Sequence, residues 1–368
     1  MNNTVKIVMV FQKLKNKYNK CTKYTKWIHD YSKKLPLIMS RREIIKKHLV
    51  EFLPNVILNL INEYLHLSGN CELILEKHAD WVMCCTYLCD PNSHQMNSKI
   101  VSSSIDKTLK IWNTQTRKCE LTLYGHTDWI RACSILPDGN KIISGSDDNT
   151  LKIWNTQTGE CELTLMEHYS FITCCIILYD CYQKDYKIVS GSSDRTLKIW
   201  NTHTGKCELT LEGHTGSVSC CSVLSDRKIV SGSYDCTLKI WNTQTGTCES
   251  TLTGRDAILC CDKLSNEQII SGCIKRELKI WNIRTNNCEL TFNLGSTMTR
   301  CIALSNGHIL TGLGATTKIW SIKTDMLNNL KEKCELTLTH SSRAKCYAEL
   351  PDERLVIGFR NGTVEIYN

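Results

Sequence analysis

Among the 23 cysteines of this 368-residue chain, no two are spaced C-x-x-C. A structural zinc site wraps a tetrahedral ion with thiolates paired at that spacing, so the sequence offers no metal centre of that kind. Apolar runs are short: the segment 8–11 follows Lys6 and leads into dense lysine, too brief for the apolar part of a secretion signal or for a membrane helix. Without such a signal the cysteines do not read as a disulfide framework. They read as small, reduced, buried apolar residues of a cytoplasmic or nuclear protein. A glycine-rich phosphate loop is also missing, since each S-G-S sits inside an apolar run, and no serine or cysteine nucleophile stands apart from its surroundings. These absences predict a chain that is not an enzyme and has no catalytic residue, cofactor or bound metal.

What the chain does contain is one unit copied many times. The string L-K-I-W-N starts at Leu109, Leu151, Leu197, Leu238 and Leu278, and the closing tryptophans Trp112, Trp154, Trp200, Trp241, Trp281 and Trp320 recur at intervals of 39 to 46 residues. Tyr367 takes the aromatic place in a seventh copy, and a second marker, C-E-L or C-E-S, starts at Cys71, Cys119, Cys161, Cys207, Cys248, Cys288 and Cys334. Each unit holds three short apolar runs and a C-E-L-T-L run, separated by Gly, Asp, Asn or Thr, which predicts four strands per unit and no helix inside it. The third run alternates, with Leu197, Ile199 and Asn201 on one face and Thr196, Lys198 and Trp200 on the other, as in a strand facing two different environments. Seven cysteines open the C-E-L runs and eleven more sit in the first strands; all eighteen are expected in the core.

The period, the pairs Gly125-His126 and Gly213-His214, the S-G-S-x-D turn and the closing tryptophan resemble WD repeats. The resemblance implies an all-β chain: a seven-bladed WD-repeat β-propeller of four-stranded antiparallel blades over residues 71–368, with a short α-helical N-terminal extension. It also implies a hydrogen-bonded His, Ser, Asp and Trp in each blade. Complete sets are His78, Ser102, Asp106 and Trp112; His126, Ser144, Asp148 and Trp154; His168, Ser190, Asp194 and Trp200; and His214, Ser231, Asp235 and Trp241. Because each histidine recurs with the same partners, it reads as scaffolding and not as a metal ligand or acid/base. Lys275, Gly314 and Asn361 stand where the fifth, sixth and seventh units need Asp, so those blades are expected to be looser. The family's closing Asp is Asn after five of the six tryptophans, as in Asn113, Asn155 and Asn201, and still suits a turn. The last unit stops after its third strand, and the first C-E-L has no unit of its own; strand 71–75 is therefore expected to complete the last blade and leave no open edge.

Charge is concentrated in the first 70 residues, which carry net +9 against +8 for the whole chain. Residues 1–39 form a basic head, expected to be weakly ordered, whose lysines interleave with tyrosine and tryptophan in K-L-K-N-K-Y-N-K-C-T-K-Y-T-K-W. An RNA or an anionic membrane is the alternative partner such a head suits. Residues 40–68 predict two helices, the first opened by Ser40 with Glu43 and the second restarted by Pro54. In the second, Leu53, Pro54, Ile57, Ile61, Tyr64 and Leu65 resemble the opening of an F-box, which implies docking to a Skp-type adaptor of a ubiquitin ligase. Val56 replaces the usual acidic residue and the motif's later helices are missing. A cullin-linked receptor would carry W-D-x-R after the third strand, and only Trp281-Asn282-Ile283-Arg284 comes near it.

Three residues after the histidine stand Trp81, Trp129 and Phe171, with Arg131 beyond Trp129, whereas the fourth and fifth units have Ser217 and Ala257. With Tyr234, just before Asp235, these residues are expected on the channel rim, where aromatic and Arg side chains suit a protein or peptide partner. The sequence is thus read as a monomeric, noncatalytic interaction scaffold, with a substrate-recruiting ligase adaptor and an RNA- or membrane-tethered scaffold as its finer forms.

Overall fold

The computed structural model describes residues 71–75, 77–88, 99–181, 185–296, 298–324 and 330–367. The basic head 1–39, the two helices expected over 40–68 and the F-box-like residues Leu53, Pro54, Ile57, Ile61, Tyr64 and Leu65 lie outside them. Among the described residues, 28 strands form seven four-stranded antiparallel sheets and there is no helix. The fold is a seven-bladed β-propeller. The innermost strands are Val82–Leu88, Ile130–Ile135, Ile172–Asp180, Val218–Ser225, Ile258–Lys263, Met298–Ala303 and Ala344–Glu349, and each touches the next until the seventh meets the first.

Both faces of each blade are buried, because each blade is stacked between two others. Leu197, Ile199, Leu211 and Val189 of the third blade pack on Val218, Cys221, Ile229 and Trp241 of the fourth, and the same pairing joins Leu109, Ile111 and Leu123 to Ile130, Ile142 and Trp154. An aliphatic face therefore meets the tryptophan face of the next blade. The alternation in the third strand does mark two different faces, but neither is solvent: even Lys198 is buried. Its stem lies along the sheet and its Nζ donates to Thr210 Oγ1 at 3.0 Å, which keeps the charge on a polar partner at the blade's outer margin.

The C-E-L markers occupy the outermost strands, and this corrects the expectation that their cysteines are core. Cys71, Cys161, Cys248, Cys288 and Cys334 are exposed and Cys119 and Cys207 half-buried, whereas ten of the eleven inner-strand cysteines are buried and Cys84 is half-buried. An outermost strand pairs on one side only, so residues at its start reach water whatever their type. The glutamate of the same marker explains the asparagine that replaces the family's aspartate. Asn201 Oδ1 accepts from the backbone N–H groups of His203 and Thr204 at 3.0 and 2.9 Å, while its Nδ2 donates to Glu208 Oε1 at 3.1 Å. Glu208 also holds Lys187 at 2.8 Å, and the first, second and fourth blades repeat the arrangement with Asn113 and Glu120, Asn155 and Glu162, and Asn242 and Glu249. An aspartate in that place would set two carboxylates against each other.

The strand Cys71–Ile74 runs antiparallel to Val364–Tyr367, the third strand of the seventh blade, with Cys71 opposite Tyr367 and Leu73 opposite Ile366. Leu75 N–H donates to Val364 O at 2.9 Å and His78 N–H to Gly362 O at 3.0 Å, and the side chains of Leu73 and Leu75 are buried against Val356 and Ile366. Deleting residues 71–75 removes the strand pairing, the Leu75 bond and two buried leucines, each leucine costing about 2–5 kcal/mol, so the truncated protein should melt well below the intact chain by differential scanning calorimetry. Equal melting temperatures would show that this strand does not hold the ring closed.

Candidate functional site

In the first four blades the histidine precedes the inner strand, the serine lies in the second strand, the aspartate in the following turn and the tryptophan in the third strand. His78, His126, His168 and His214 place Nδ1 2.7–2.8 Å from Oδ2 of Asp106, Asp148, Asp194 and Asp235. Their Nε2 atoms stand 2.7–2.8 Å from the hydroxyls of Ser102, Ser144, Ser190 and Ser231, and those hydroxyls accept from Nε1–H of Trp112, Trp154, Trp200 and Trp241 at 2.7–2.8 Å. A tryptophan N–H can only donate, so the serine O–H is free to donate to a neutral imidazole, whose other nitrogen donates to the carboxylate. Each aspartate Oδ1 also accepts from the hydroxyl two residues on, in Thr108, Thr150, Thr196 and Thr237, at 2.6–2.7 Å. These threonines were not singled out from the sequence, although the spacing D-x-T recurs there.

The electrostatics follow from this enclosure. Burial works against charge on Asp106, Asp148 and Asp194, but the hydrogen bonds from histidine and threonine outweigh it and hold the three carboxyls well below the usual range. Asp235 is lowered to about 2, against burial, by Thr237 and His214. Burial also pushes His214 below its ordinary value despite Asp235. A histidine ring enclosed by a committed serine and aspartate cannot reach a substrate, so these sets are scaffolding.

The three remaining blades replace the set in different ways. In the fifth, Ser271 still accepts from Trp281 at 2.7 Å, and Lys275 pairs with Asp256 at 2.9 Å. In the sixth, Thr311 takes the serine's role toward Trp320 at 2.8 Å. Counting back from Trp320 misses Thr311 because the hairpin is shortened to Gly314-Ala315, with Gly314 at φ 66°, leaving no room for the aspartate turn. In the seventh, His340 bonds to the Tyr367 hydroxyl at 3.0 Å and to Thr317 of the sixth blade at 2.8 Å. Burial brings His340 down to about 4.

At one end of the ring the structure brings only part of the expected rim together. Trp129 and Phe171 are 43% and 46% exposed, and the Arg131 guanidinium lies 5.6 Å from one ring and 6.0 Å from the other. Arg131 forks onto Asp147, with Nη2 to Oδ2 at 2.6 Å, and Asp147 N–H donates to Trp129 O at 2.9 Å. Trp81 stands apart from that cluster, with Arg360 4.0 Å and Lys345 5.0 Å from its ring centre. Tyr234, 52% exposed, is bonded through its N–H to Ser217 O at 2.9 Å, the same backbone link that joins Asp147 to Trp129. Arg343, Lys345 and Arg360 were missed in the sequence because the seventh blade lacks its markers. Arg343 and Lys345 nevertheless follow His340 at the spacing by which Trp129 and Arg131 follow His126.

Residues 69–113, 117–155, 159–201 and 205–242 match the family model described as "WD domain, G-beta repeat". Four of the seven blades therefore match WD40 repeats, within a fold that is a seven-bladed propeller, and WD40 propellers generally act as protein interaction scaffolds. Among solved structures, the WD40 β-propeller domain of Doa1 superposes with a TM-score of 0.68 over 82% of this chain and 97% of that one, at 20% identity. That likeness carries the fold and no partner. No curated protein matches the chain.

Two predictions test the buried sets. Asp194→Ala leaves His168 and Thr196 without their acceptor, which should cost about 1–3 kcal/mol, whereas Lys275→Ala loses only an exposed, solvent-screened ion pair and should change stability little. Equal urea midpoints for the two variants would remove the hydrogen-bond argument. The pH dependence has a definite sign. His214 and His340 have folded values below the ordinary 6.5, so the unfolded chain binds more protons and their contribution is complete above pH 6.5. It is lost as pH falls through the value of about 4 for His340, and the lowered aspartates add a second loss below their ordinary 3.8. Melting temperature should be level above pH 7 and decline steadily between pH 6.5 and 4; a level curve across that window would contradict the assignment.

Proposed function

We propose that the chain is a noncatalytic scaffold that captures a protein or peptide on the rim formed by Trp81, Trp129, Arg131, Phe171 and Tyr234. The carrying observation is the layered trio Trp129, Arg131 and Phe171, presented to solvent where otherwise copied blades differ. The fork onto Asp147 fixes the guanidinium between the rings, so this trio meets a partner without further ordering. The neighbouring sector gives the partner a charge. Arg343, Lys345 and Arg360 have no ion-pair partner among the described residues, and Arg360 Nε is buried without a hydrogen-bond acceptor. Burial and the adjacent Arg360, Arg131 and Arg343 lower Lys345. An acidic side chain from a peptide laid across Trp81 would relieve that repulsion and supply the missing acceptor.

The finer reading, a substrate-recruiting adaptor of a ubiquitin ligase, rests on the F-box-like residues Leu53, Pro54, Ile57, Ile61, Tyr64 and Leu65, which would dock a Skp-type adaptor while the rim holds the substrate. The basic head supports the other reading, a scaffold tethered to RNA or an anionic membrane.

Affinity purification followed by mass spectrometry tests both levels. Trp129→Ala and Arg360→Ala should each reduce capture of the rim partner by roughly tenfold, the loss of one hot-spot side chain, with melting temperatures close to wild type. Arg131→Ala should reduce capture and also lower the melting temperature, since Asp147 loses its partner. Undiminished capture by Trp129→Ala and Arg360→Ala would place the partner elsewhere. Removing residues 1–70 should abolish recovery of a Skp-type adaptor and cullin while sparing the rim partner; recovery of RNA or anionic lipid in their place, lost with the head, would favour the tether.

A further inference from the structure

Each inner strand carries two adjacent positions that point to opposite neighbours. The first is Cys84, Ala132, Cys174, Cys220, Cys260, Arg300 and Cys346 around the ring, and the second is Cys85, Cys133, Cys175, Cys221, Cys261, Cys301 and Tyr347. The first residue of one blade meets the second residue of the next. Cys174 and Cys221 bring their Sγ atoms to 3.2 Å across the junction of the third and fourth blades, and Cys220 and Cys261 do the same between the fourth and fifth. The same register sets Cys84 against Cys133, Cys260 against Cys301 and Cys346 against Cys85, so five of the seven junctions hold a thiol pair. The other two hold Ala132 with Cys175 and Arg300 with Tyr347.

A close-packed junction needs a small side chain, and alanine fills that need at Ala132. Facing pairs of thiols add something packing does not require. A sulfur separation of 3.2 Å must shorten by about 1.1 Å to make a bond, a movement within reach of two rotatable Cβ–Sγ groups. Burial resists ionisation of Cys220, but the Cys261 thiol, the Ser219 hydroxyl and the Arg300 guanidinium bring it below its ordinary value, while Cys220 and burial drive Cys261 well up. This pair is thus divided into a thiolate-prone sulfur, Cys220, and a resolving thiol, Cys261. Arg300, in the ring position that other blades give to cysteine or alanine, supplies the positive charge and is exposed to solvent.

We propose that the blade junctions are an oxidative modification site, in which hydrogen peroxide or another hydroperoxide converts the facing pairs Cys220 with Cys261 and Cys174 with Cys221 into disulfides that bolt the third, fourth and fifth blades together. The thiolate of one cysteine attacks the peroxide, forming a sulfenic acid and releasing hydroxide. The facing thiol then displaces it, forming the S–S bond, and its proton leaves with the sulfenic oxygen as water. With hydrogen peroxide each bridge consumes two thiols and one peroxide and yields one disulfide and two waters; an organic hydroperoxide yields one alcohol and one water instead. No bridge forms at the junction of the second and third blades, where Ala132 stands, or at that of the sixth and seventh.

The test uses the full chain with hydrogen peroxide as the only oxidant. After treatment the protein is denatured in an alkylating agent, digested without reduction and mapped by mass spectrometry, and its melting temperature is compared with the untreated sample. The expected result is one species of three peptides, because the adjacent Cys220 and Cys221 share a fragment that is linked to both Cys261 and Cys174, lighter by four hydrogens than the sum of its parts. A raised melting temperature, reversed by dithiothreitol, should accompany it. Cys261→Ala should remove the first link and keep the second, and Cys221→Ala should do the reverse. If the map of the wild-type protein shows these cysteines alkylated, taken to sulfinic or sulfonic acid, or bridged only through the exposed Cys161, Cys248, Cys288 and Cys334, the proposal is wrong.

Discussion

The structure depends on one shared atom per blade, the hydroxyl oxygen that accepts the tryptophan N–H. In the first four blades it is a serine Oγ that also donates to histidine, so a single hydroxyl ties the third strand, the second strand and the segment before the first. The histidine passes the link to the aspartate, whose second oxygen holds its own turn through threonine. A buried tryptophan N–H without a partner would cost about 1–3 kcal/mol in every blade. The requirement explains why six of the seven blades keep a hydroxyl opposite the tryptophan even where histidine and aspartate are gone: Ser271 and Thr311 remain, and only the seventh blade, where tyrosine replaces tryptophan, has Ile357 there.

The repeat made the architecture readable because copying multiplies a weak pattern: one L-K-I-W-N is a short apolar strand, and five at a constant spacing fix a blade. The His, Ser, Asp and Trp positions recur with it, and their bonding to one another came from the resemblance to WD repeats. What escaped the sequence lies where copying stops or where residue type misleads. A hairpin shortened to Gly314-Ala315 shifts the count and hides Thr311. Cysteine at the start of the outermost strand looks like core by type, but an edge strand exposes its first residue. The partner of Arg131 was missed because Asp147 precedes a conspicuous aspartate, Asp148, and two adjacent carboxyls cannot be sorted by spacing alone. Only the pleat shows that one turns to the histidine and the other to the arginine.

Rim and junction obey opposite constraints along the same inner strand. Near its start the side chains project beyond the blades, and size is free, so tryptophan, phenylalanine, serine, alanine and arginine all occur. Further along they enter a junction between sheets that must close, and only small residues fit. Gly191 and Gly232, opposite the cysteines on the second strand, show how tight that closure is: a Cβ added at either would lie 2.7 Å from a cysteine sulfur. The cysteine sulfurs fill the space beside those glycines, and a second cysteine from the next blade puts two sulfurs in contact.

The junction of the sixth and seventh blades breaks this rule and shows what replaces it. Tyr347 fills the slot that holds cysteine elsewhere, and its hydroxyl lies 3.0 Å from Thr317 Oγ1 of the sixth blade. Thr317 also meets His340 Nε2 at 2.8 Å, and His340 Nδ1 reaches the Tyr367 hydroxyl at 3.0 Å. The polar network that the first four blades keep within a blade has here moved between blades, joining Tyr347, Thr317, His340 and Tyr367. Loss of Asp and Ser from these two blades therefore does not leave the histidine orphaned; it transfers the bond to the neighbour. The last two blades, degenerate when each is read alone, are held as a pair, and the seventh is in turn held to the first by the strand that closes the ring.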